Sequence, residues 1–401
     1  MHNKRQITKD LCWIGTNDRR LALFENVYPI PTGVSFNSYL MTDEKTVLFD
    51  TVDKCMSHQF FDNLECALAG RKLDYVIVNH MEPDHSATLP DLLLRYPDVK
   101  IVGNAKTFML MKQFFQKDME QNLVTVKDGD TLNTGRHTLK FIFAPMVHWP
   151  EVMVTYDETD GTLFSADAFG GFGALNGNIF TDEIDFDESN WENMRRYYTN
   201  IVGKYGMSVM SLLNKASSLK INQICPLHGM IWRKNIDLLI EKYKKWASYE
   251  PEEKGVTIVY GSIYGNTENA AEILAGMLAE KGIRNIQMFD VSAVHPSYIL
   301  SSCFRYSHIV LAANTYNAGM FVNMETFMHC LAAHSLKNRN ISIIENGSWA
   351  PMSGRKIKEI LDSMKDIKTI GELVTITSSI KDTEFKKIEQ LASDIVSDIQ
   401  V

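Results

Sequence analysis

The sequence of 401 residues contains no C-x-x-C pair; its six cysteines, Cys12, Cys55, Cys66, Cys225, Cys303 and Cys330, stand far apart. That spacing excludes a zinc ribbon, a rubredoxin-type iron and a cysteine-held iron–sulfur cluster, and the thiols read as reduced and mostly buried. No run reaches the roughly 18 consecutive apolar residues of a membrane span, and the polar stretch Met1 to Asp10 lacks an apolar signal core, so the expectation is a cytoplasmic protein without a membrane partner. Basic residues are outnumbered, 41 Lys and Arg against 49 Asp and Glu, giving a net charge of −8. With both signs interspersed there is no basic stripe to follow a phosphate backbone, and nucleic acid is not an expected partner. Glycine (23) and proline (11) are too sparse for a low-complexity or fibrous chain, and no internal repeat is visible. What remains, 45% hydrophobic and 22% charged residues, is the composition of a soluble globular protein long enough for two or three domains.

The clearest seam is Tyr249-Glu250-Pro251-Glu252-Glu253-Lys254-Gly255, charged and Pro-containing, between a helical pattern and the β-rich run Val256 to Tyr260. It divides the chain near residue 252. Before it, strand-like runs (Val34 to Leu40, Thr46 to Phe49, Tyr75 to Val78) precede helical patterns around Ser57 to Ala69 and Leu89 to Arg95. A β-rich middle follows, with hairpin signals at Asp128-Gly129, Asn133-Thr134-Gly135 and Asp160-Gly161, then helical stretches around Trp191 to Ile201 and Met207 to Lys215. After the seam, Val256 to Tyr260, His308 to Ala312 and Ile341 to Ile344 are apolar on both faces, as parallel strands covered by helices should be.

The run His80-Met81-Glu82-Pro83-Asp84-His85 follows the strand Tyr75 to Val78 and holds four potential metal ligands in six residues. In extended chain, residues 80, 82 and 84 point to one side, and His85 swings back as the chain turns into a helix. One short loop can thus reach two adjacent ions. His148, Asp167 and His228 each follow a predicted strand, so all seven can converge on one rim of a sheet. A carboxylate such as Asp167 can bridge two cations about 3.5–4 Å apart. Packing several ionisable groups beside an apolar strand is costly without cations to offset them; the other histidines (His2, His58, His137, His295, His308, His329 and His334) read as ordinary core or surface residues. Nitrogen and carboxylate donors without thiolate suit non-haem iron or manganese and are compatible with zinc.

A second constellation begins where Val256 to Tyr260 leads into Gly261-Ser262-Ile263-Tyr264-Gly265-Asn266-Thr267 and a helical pattern from Glu268 to Lys281. Backbone N–H groups and the hydroxyls of Ser262 and Thr267 can surround a phosphate at a helix N-terminus without any lysine. The loop fits neither G-x-x-x-x-G-K-[ST] nor G-x-G-x-x-G, which leaves ATP hydrolysis and a Rossmann dinucleotide site without support. Two further strand-end loops, Ala313-Asn314-Thr315-Tyr316-Asn317-Ala318-Gly319 and Glu345-Asn346-Gly347-Ser348-Trp349, each offer backbone polar groups and one aromatic ring. Such a pair can frame a flat ring and bond its edge, as a flavin requires.

The first constellation resembles the metallo-β-lactamase superfamily, whose dizinc hydrolases carry H-x-H-x-D-H, with Glu82 here in place of the second histidine. The added negative charge favours an ion that cycles between divalent and trivalent states, and redox chemistry over hydrolysis. Gly255 to Val401 resembles a flavodoxin. Together the two halves resemble the flavodiiron protein family: an N-terminal metallo-β-lactamase-like αββα sandwich (residues 1–250) followed by a flavodoxin-like doubly wound parallel sheet (residues 254–401). The resemblance implies two non-haem irons per subunit and FMN. It assigns His80, Glu82 and His148 to one iron, Asp84 and His228 to the other, and Asp167 as the bridge, with His85 in the motif but displaced from the metal in some members. It implies reduction of dioxygen to water or of nitric oxide to nitrous oxide, a head-to-tail homodimer or a tetramer, and a separate donor such as rubredoxin. Many members carry a histidine in the segment that reads Leu23-Phe24-Glu25-Asn26-Val27 here. For Tyr197 and Tyr198 two readings stand, a hydrogen bond to the site or packing on a helix face.

Two rival readings stay open at the level of the sequence. One is a dizinc hydrolase with a regulatory flavodoxin domain, against which Glu82 argues. The other is a non-enzymatic electron carrier whose metal domain serves only for structure or docking.

Overall fold

The computed structural model describes residues 2–116 and 119–400. The chain divides into two compact units, Met1–Tyr198 with Tyr205–Lys244, and Thr199–Lys204 with Lys245–Val401. The break thus falls before the charged stretch at 249–255. The reason is local: Tyr249 Oη donates to Gly203 O at 2.7 Å and Asn200 Nδ2 to Ser297 O at 3.2 Å, which ties both segments into the second unit.

The first unit packs two sheets face to face. A seven-stranded sheet runs Arg5–Gln6, Leu11–Trp13, Tyr39–Thr42, Thr46–Phe49, Tyr75–Ile77, Lys100–Gly103, Leu123–Thr125 in spatial order, antiparallel up to Thr46–Phe49 and parallel beyond. A five-stranded sheet runs Thr131–Asn133, Thr138–Phe143, Met153–Asp157, Thr162–Phe164, Gln223–Cys225, with only its last pair parallel. Tyr39, Met41, Phe49 and Ile77 from one sheet meet Phe141, Met153, Phe164 and Cys225 from the other in a single buried core. The rings of Phe49 and Phe164 stack at 3.6 Å across it. Burying such a side chain contributes about 1.5–3 kcal/mol, which makes this interface the main support of the sandwich.

Two local readings need correction. The run Val34 to Leu40 is two strands in different sheets, Val34–Phe36 and Tyr39–Thr42, because Asn37 turns inward; it accepts from Trp13 Nε1 and donates to Pro226 O and Gly229 O, each at 2.9 Å. Asp128-Gly129 is no hairpin but the crossover from one sheet to the other.

The second unit is a parallel sheet in spatial order Ile286–Asp290, Glu253–Gly261, Tyr306–Tyr316, Arg339–Asn346, Ile367–Thr369. In chain order that is 2-1-3-4-5, the flavodoxin arrangement, whose topological switch point lies between the first and third strands. Helix Asn266–Glu280 packs Ala270, Ala271, Leu274 and Leu278 on the sheet beside Ile388, Leu391 and Ile395 of helix Asp382–Gln400. Among the described residues no helix is long and apolar enough to cross a membrane.

Candidate metal centre and flavin site

The strand Tyr75–Ile77 delivers the ligand run to the edge of the sandwich. Asp50, buried at the end of its neighbour Thr46–Phe49, accepts from Asn79 N (2.8 Å), His80 N (3.1 Å) and Asn79 Nδ2 (2.8 Å) and so fixes where the run begins. Pro83 then starts a one-turn helix, Pro83–Ser86, with proline at the position where a missing N–H costs nothing. That early helix start ends the extended geometry in which residues 80, 82 and 84 would point to one side, and it gives the two groups that the family resemblance implies. Glu82 stays with His80, while Asp84 turns to the opposite side and joins His85.

Two clusters of donor atoms result, each within 4.8 Å: His80, Glu82, His148 and Asp167 in one, Asp84, His85 and His228 in the other. In the first, Glu82 Oε2 lies 3.1 Å from His80 Nε2 and 3.0 Å from His148 Nε2. In the second, Asp84 Oδ2 lies 3.3 Å from His85 Nε2 and 3.2 Å from His228 Nε2. Asp167 faces both: Oδ2 is 3.1 Å from His148 Nε2, and Oδ1 is 3.2 Å from His85 Nε2 and 3.7 Å from His228 Nε2. The seven-stranded sheet supplies residues 80–85, and the loops of the five-stranded sheet supply His148, Asp167 and His228.

The tautomers are set from behind. His80 Nδ1 donates to Glu151 Oε1 at 2.8 Å and His228 Nδ1 to Ser35 O at 2.7 Å, which turns both Nε2 lone pairs toward the clusters. Glu151 escaped the sequence reading although it lies only three residues past His148; nothing in that spacing distinguishes it from a surface acid. Of the two tyrosines, Tyr197 is the one that reaches the centre. It is fully buried, its ring is 5.6 Å from that of His228, and its hydroxyl has no hydrogen-bond partner. Burial first, then the carboxylates of Asp167, Asp84 and Glu82, raise its pKa well above the ordinary phenol value. Tyr198 packs on Tyr243 at 5.1 Å.

The donor set fits a pair of cations. Both carboxylate oxygens of Asp84, both ring nitrogens of His85, Asp167 Oδ1 and His228 Nε2 are buried without a hydrogen-bond partner, and all are potential ligands. In the metal-free protein protons take the cations' place. Burial opposes charge on His80 and His148, but Asp167 with Glu151 and Glu82 outweighs it for His80, and Asp167 with Glu82 for His148; the first is held well above the usual histidine pKa and the second is pushed up to about 9. Asp167, despite burial, is held well below the carboxylate range by His80 and His85. A third cluster, His137, Asp157 and Asp160, is different in kind: Arg136 donates to Asp160 Oδ1 at 2.5 Å and to Asp10 Oδ2 at 2.8 Å, so the guanidinium is already its cation.

In the second unit, the loops at the switch point surround a cavity of about 440 Å³. Ser262, Ile263, Tyr264, Asn266 and Thr267 line it from the first loop, Asn314, Thr315, Tyr316, Asn317 and Ala318 from the second, and Asn346, Gly347, Ser348 and Trp349 from the third. Gly265 and Gly319 shape the loops instead: Gly265 holds a φ of +86° at the start of helix Asn266–Glu280, and Gly319 pairs with Tyr316 across a short hairpin. Ala350 and Ser378 complete the lining, the latter placed by its carbonyl, which accepts from Asn346 Nδ2 at 3.0 Å. A Cβ on Gly347 would come within 2.9 Å of Pro351 Cα, so the third loop requires glycine there. Asn314 Oδ1 is buried without a partner, while Tyr264 (91% exposed) and Trp349 (92%) stand open on the rim. Polar groups inside and aromatic rings at the mouth fit a flavin mononucleotide.

Comparison with known proteins agrees with both halves. The ODP family beta lactamase description matches residues 34–229 and the Flavodoxin description residues 258–361. The anaerobic nitric oxide reductase flavorubredoxin of Escherichia coli is 31% identical over 365 residues, covering 90% of this chain and 75% of that protein. An uncharacterised protein of Methanocaldococcus jannaschii is 31% identical over 386 residues, 95% of each chain. Rubredoxin oxygen:oxidoreductase from Desulfovibrio gigas superposes with a TM-score of 0.92 at 26% identity, over 99% of this chain and 98% of that one. A flavo di-iron protein from Thermotoga maritima, solved as a variant, gives 0.89 at 28% identity over the same shares. With two sequence halves, two folds and two fitting sites in agreement, this chain belongs to the flavodiiron protein family, oxidoreductases that carry FMN and a non-haem diiron site.

Proposed function

We propose that the protein is a cytoplasmic reductase of small diatomic gases, taking dioxygen to water, nitric oxide to nitrous oxide, or both. The observation that carries this reading is Asp167, whose two oxygens face two separate donor clusters. In this assignment His80, Glu82 and His148 would hold one iron, Asp84, His228 and His85 would hold the other, and Asp167, facing both clusters, would be shared between them. The relatives' names support both gases, one being a nitric oxide reductase and another a rubredoxin oxygen:oxidoreductase.

When bound, the reduced flavin and a diferrous pair supply two electrons each, which makes the four that dioxygen needs, and adjacent open metal positions polarise the gas. The chain's own residues do the rest. Glu151 and Ser35 O orient the imidazoles of His80 and His228. Phe24, Phe36 and Tyr197 pack around His228, each within 6 Å, and keep water from that side. The Tyr197 hydroxyl is a fixed donor beside the bridge, kept protonated by its surroundings. Electrons arrive from a rubredoxin or a similar carrier. The exposed rings of Tyr264 and Trp349 at the flavin rim favour a head-to-tail dimer or tetramer in which one copy's flavin serves the partner's metals.

The test is anaerobic: the iron-loaded, flavin-replete protein is fully reduced, then reoxidised by each gas in separate multiple-turnover runs. Repeated turnover with water or nitrous oxide as product is expected. If neither gas reoxidised the metals, the reading would fail and zinc-dependent hydrolysis would replace it.

A further inference from the structure

The turn that carries Asp167 holds two residues in left-handed backbone, one on each side of the ligand: Ala166 at a φ of 51° and Phe169 at 67°. Residues with a Cβ are disfavoured there, and a bulky ring more than most. Such conformations persist where the surroundings hold them, and they gather at functional sites. Here the turn follows strand Thr162–Phe164, and Ser165, Ala166, Asp167, Ala168 and Phe169 are all buried.

Hydrogen bonds hold the turn in place. Leu227 N donates to Ala166 O at 2.9 Å, which fastens the first left-handed residue to the loop of His228. Ser165 Oγ donates to Ala168 O at 2.7 Å and Ala168 N to Ser165 O at 3.2 Å, closing the turn upon itself. A further bond comes from a distant element: Phe169 N donates to Tyr243 Oη at 2.5 Å. Tyr243 stands 74 residues later, on helix Ile236–Ser248. Its fully buried ring packs on Phe169 at 4.4 Å and on Tyr198 at 5.1 Å. Without that hydroxyl the Phe169 N–H would lose its acceptor in a buried place, and the turn would be drawn toward ordinary φ.

We propose that Tyr243 is a positioning residue of the metal centre: its hydroxyl pins the Phe169 amide and so fixes the Asp167 carboxylate between the two donor clusters. The proposal rests on the assignment of Asp167 above and adds to it a residue outside the donor set. Asp167 Oδ2 lies 3.1 Å from His148 Nε2 and Oδ1 lies 3.2 Å from His85 Nε2, and a ligand that serves both sides must be held to within about 0.5 Å.

The experiment uses the full, flavin-replete chain loaded anaerobically with Co²⁺, whose visible d–d bands report coordination without turnover. Chelator competition gives the affinity of each site. Tyr243→Phe keeps the ring and removes only the hydroxyl. Because Asp167 faces both clusters, both sites are expected to weaken together, about tenfold each, at the low end for supporting residues, with altered d–d bands. Ser165→Ala, which frees the same turn from its other side, is expected to repeat that signature, and it carries the test on the same terms should Tyr243→Phe fail to fold. Unchanged affinities and bands in Tyr243→Phe, with both changed in Asp167→Asn, would overturn the proposal alone, whatever the unfolding midpoint of the metal-free chain; the hydroxyl would then serve the fold only. If Asp167→Asn also changed neither, the metal centre itself would be misassigned and the proposal would fall with it.

Discussion

The carboxylate behind His80 offers the sharpest separation of charge from shape. Glu151 is 1% exposed, and its Oε1 accepts both from His80 Nδ1 at 2.8 Å and from Met81 N at 2.9 Å. In Glu151→Gln the amide oxygen can accept both bonds, so the imidazole keeps its tautomer and orientation while the negative charge disappears. Loss of such a supporting carboxylate lowers metal affinity about 10–100-fold, or roughly 1.4–2.7 kcal/mol. The substitution also places an amide N–H₂ where Oε2 is now buried without a partner, and an orphaned donor costs about 1–3 kcal/mol of stability. The two effects are measured separately, affinity by anaerobic Fe²⁺ titration against a chelator and stability by thermal unfolding of the metal-free protein. The expected result is a weakened first site together with a lower unfolding midpoint. A full loss of stability with unchanged iron affinity would refute the reasoning, because Glu151 would then serve the fold and leave the metal untouched.

Tyr197→Phe removes a buried hydroxyl that has no partner in the metal-free chain, so thermal stability is expected to hold or rise by up to about 1 kcal/mol while gas turnover slows; undiminished turnover would count against its placement beside the bridge. Gly347→Ala puts a methyl group against Pro351, and the purified variant is expected to carry less FMN per chain with the diiron content unaltered. His137 is hydrogen-bonded through Nδ1 to Asp157 at 2.9 Å, faces Asp10, Asp160 and the Asp43 carboxylate, lies beside Arg136, and has a raised pKa, chiefly through Asp157. A raised histidine pKa gives stability that is complete below the unfolded value of about 6.5 and is lost as pH climbs through the folded value. The unfolding midpoint of the wild type should therefore lose its margin over His137→Gln as pH rises above about 6.5; a margin independent of pH would show that the imidazolium contributes nothing.

The ligand run and the three flavin loops were legible because each is short in sequence and follows an apolar strand, so local periodicity alone places them at a sheet edge. What could not be read depends on contacts between distant segments. Whether Asp84 sides with Glu82 or with His85 turns on where a one-turn helix begins. The strand break at Asn37 exists because Pro226 O and Gly229 O lie within reach of its amide, nearly two hundred residues away. Tyr197 and Tyr198 are adjacent in a helical pattern, and only the tertiary structure aims one at Asp167 and the other at Tyr243. Glu151 belongs to no motif; its partner His80 lies 71 residues earlier. Thr199–Lys204 joins the second unit through Tyr249 and Ser297, a discontinuity that composition does not record.

The candidate ligands are divided between the two large sheets of the first unit, residues 80–85 on one and His148, Asp167 and His228 on the other. A metal pair is therefore a clasp across the sandwich as well as a place for chemistry. The clasp exists only while the two inner faces stay together, so metal bound to the folded state and not to the unfolded one transfers its binding free energy to the cohesion of the sheets, about 2.7 kcal/mol at a hundredfold excess over Kd. Iron scarcity would then act on the lifetime of the chain as well as on its activity: a cell short of iron would hold a protein that opens more often along the seam where Phe49 meets Phe164.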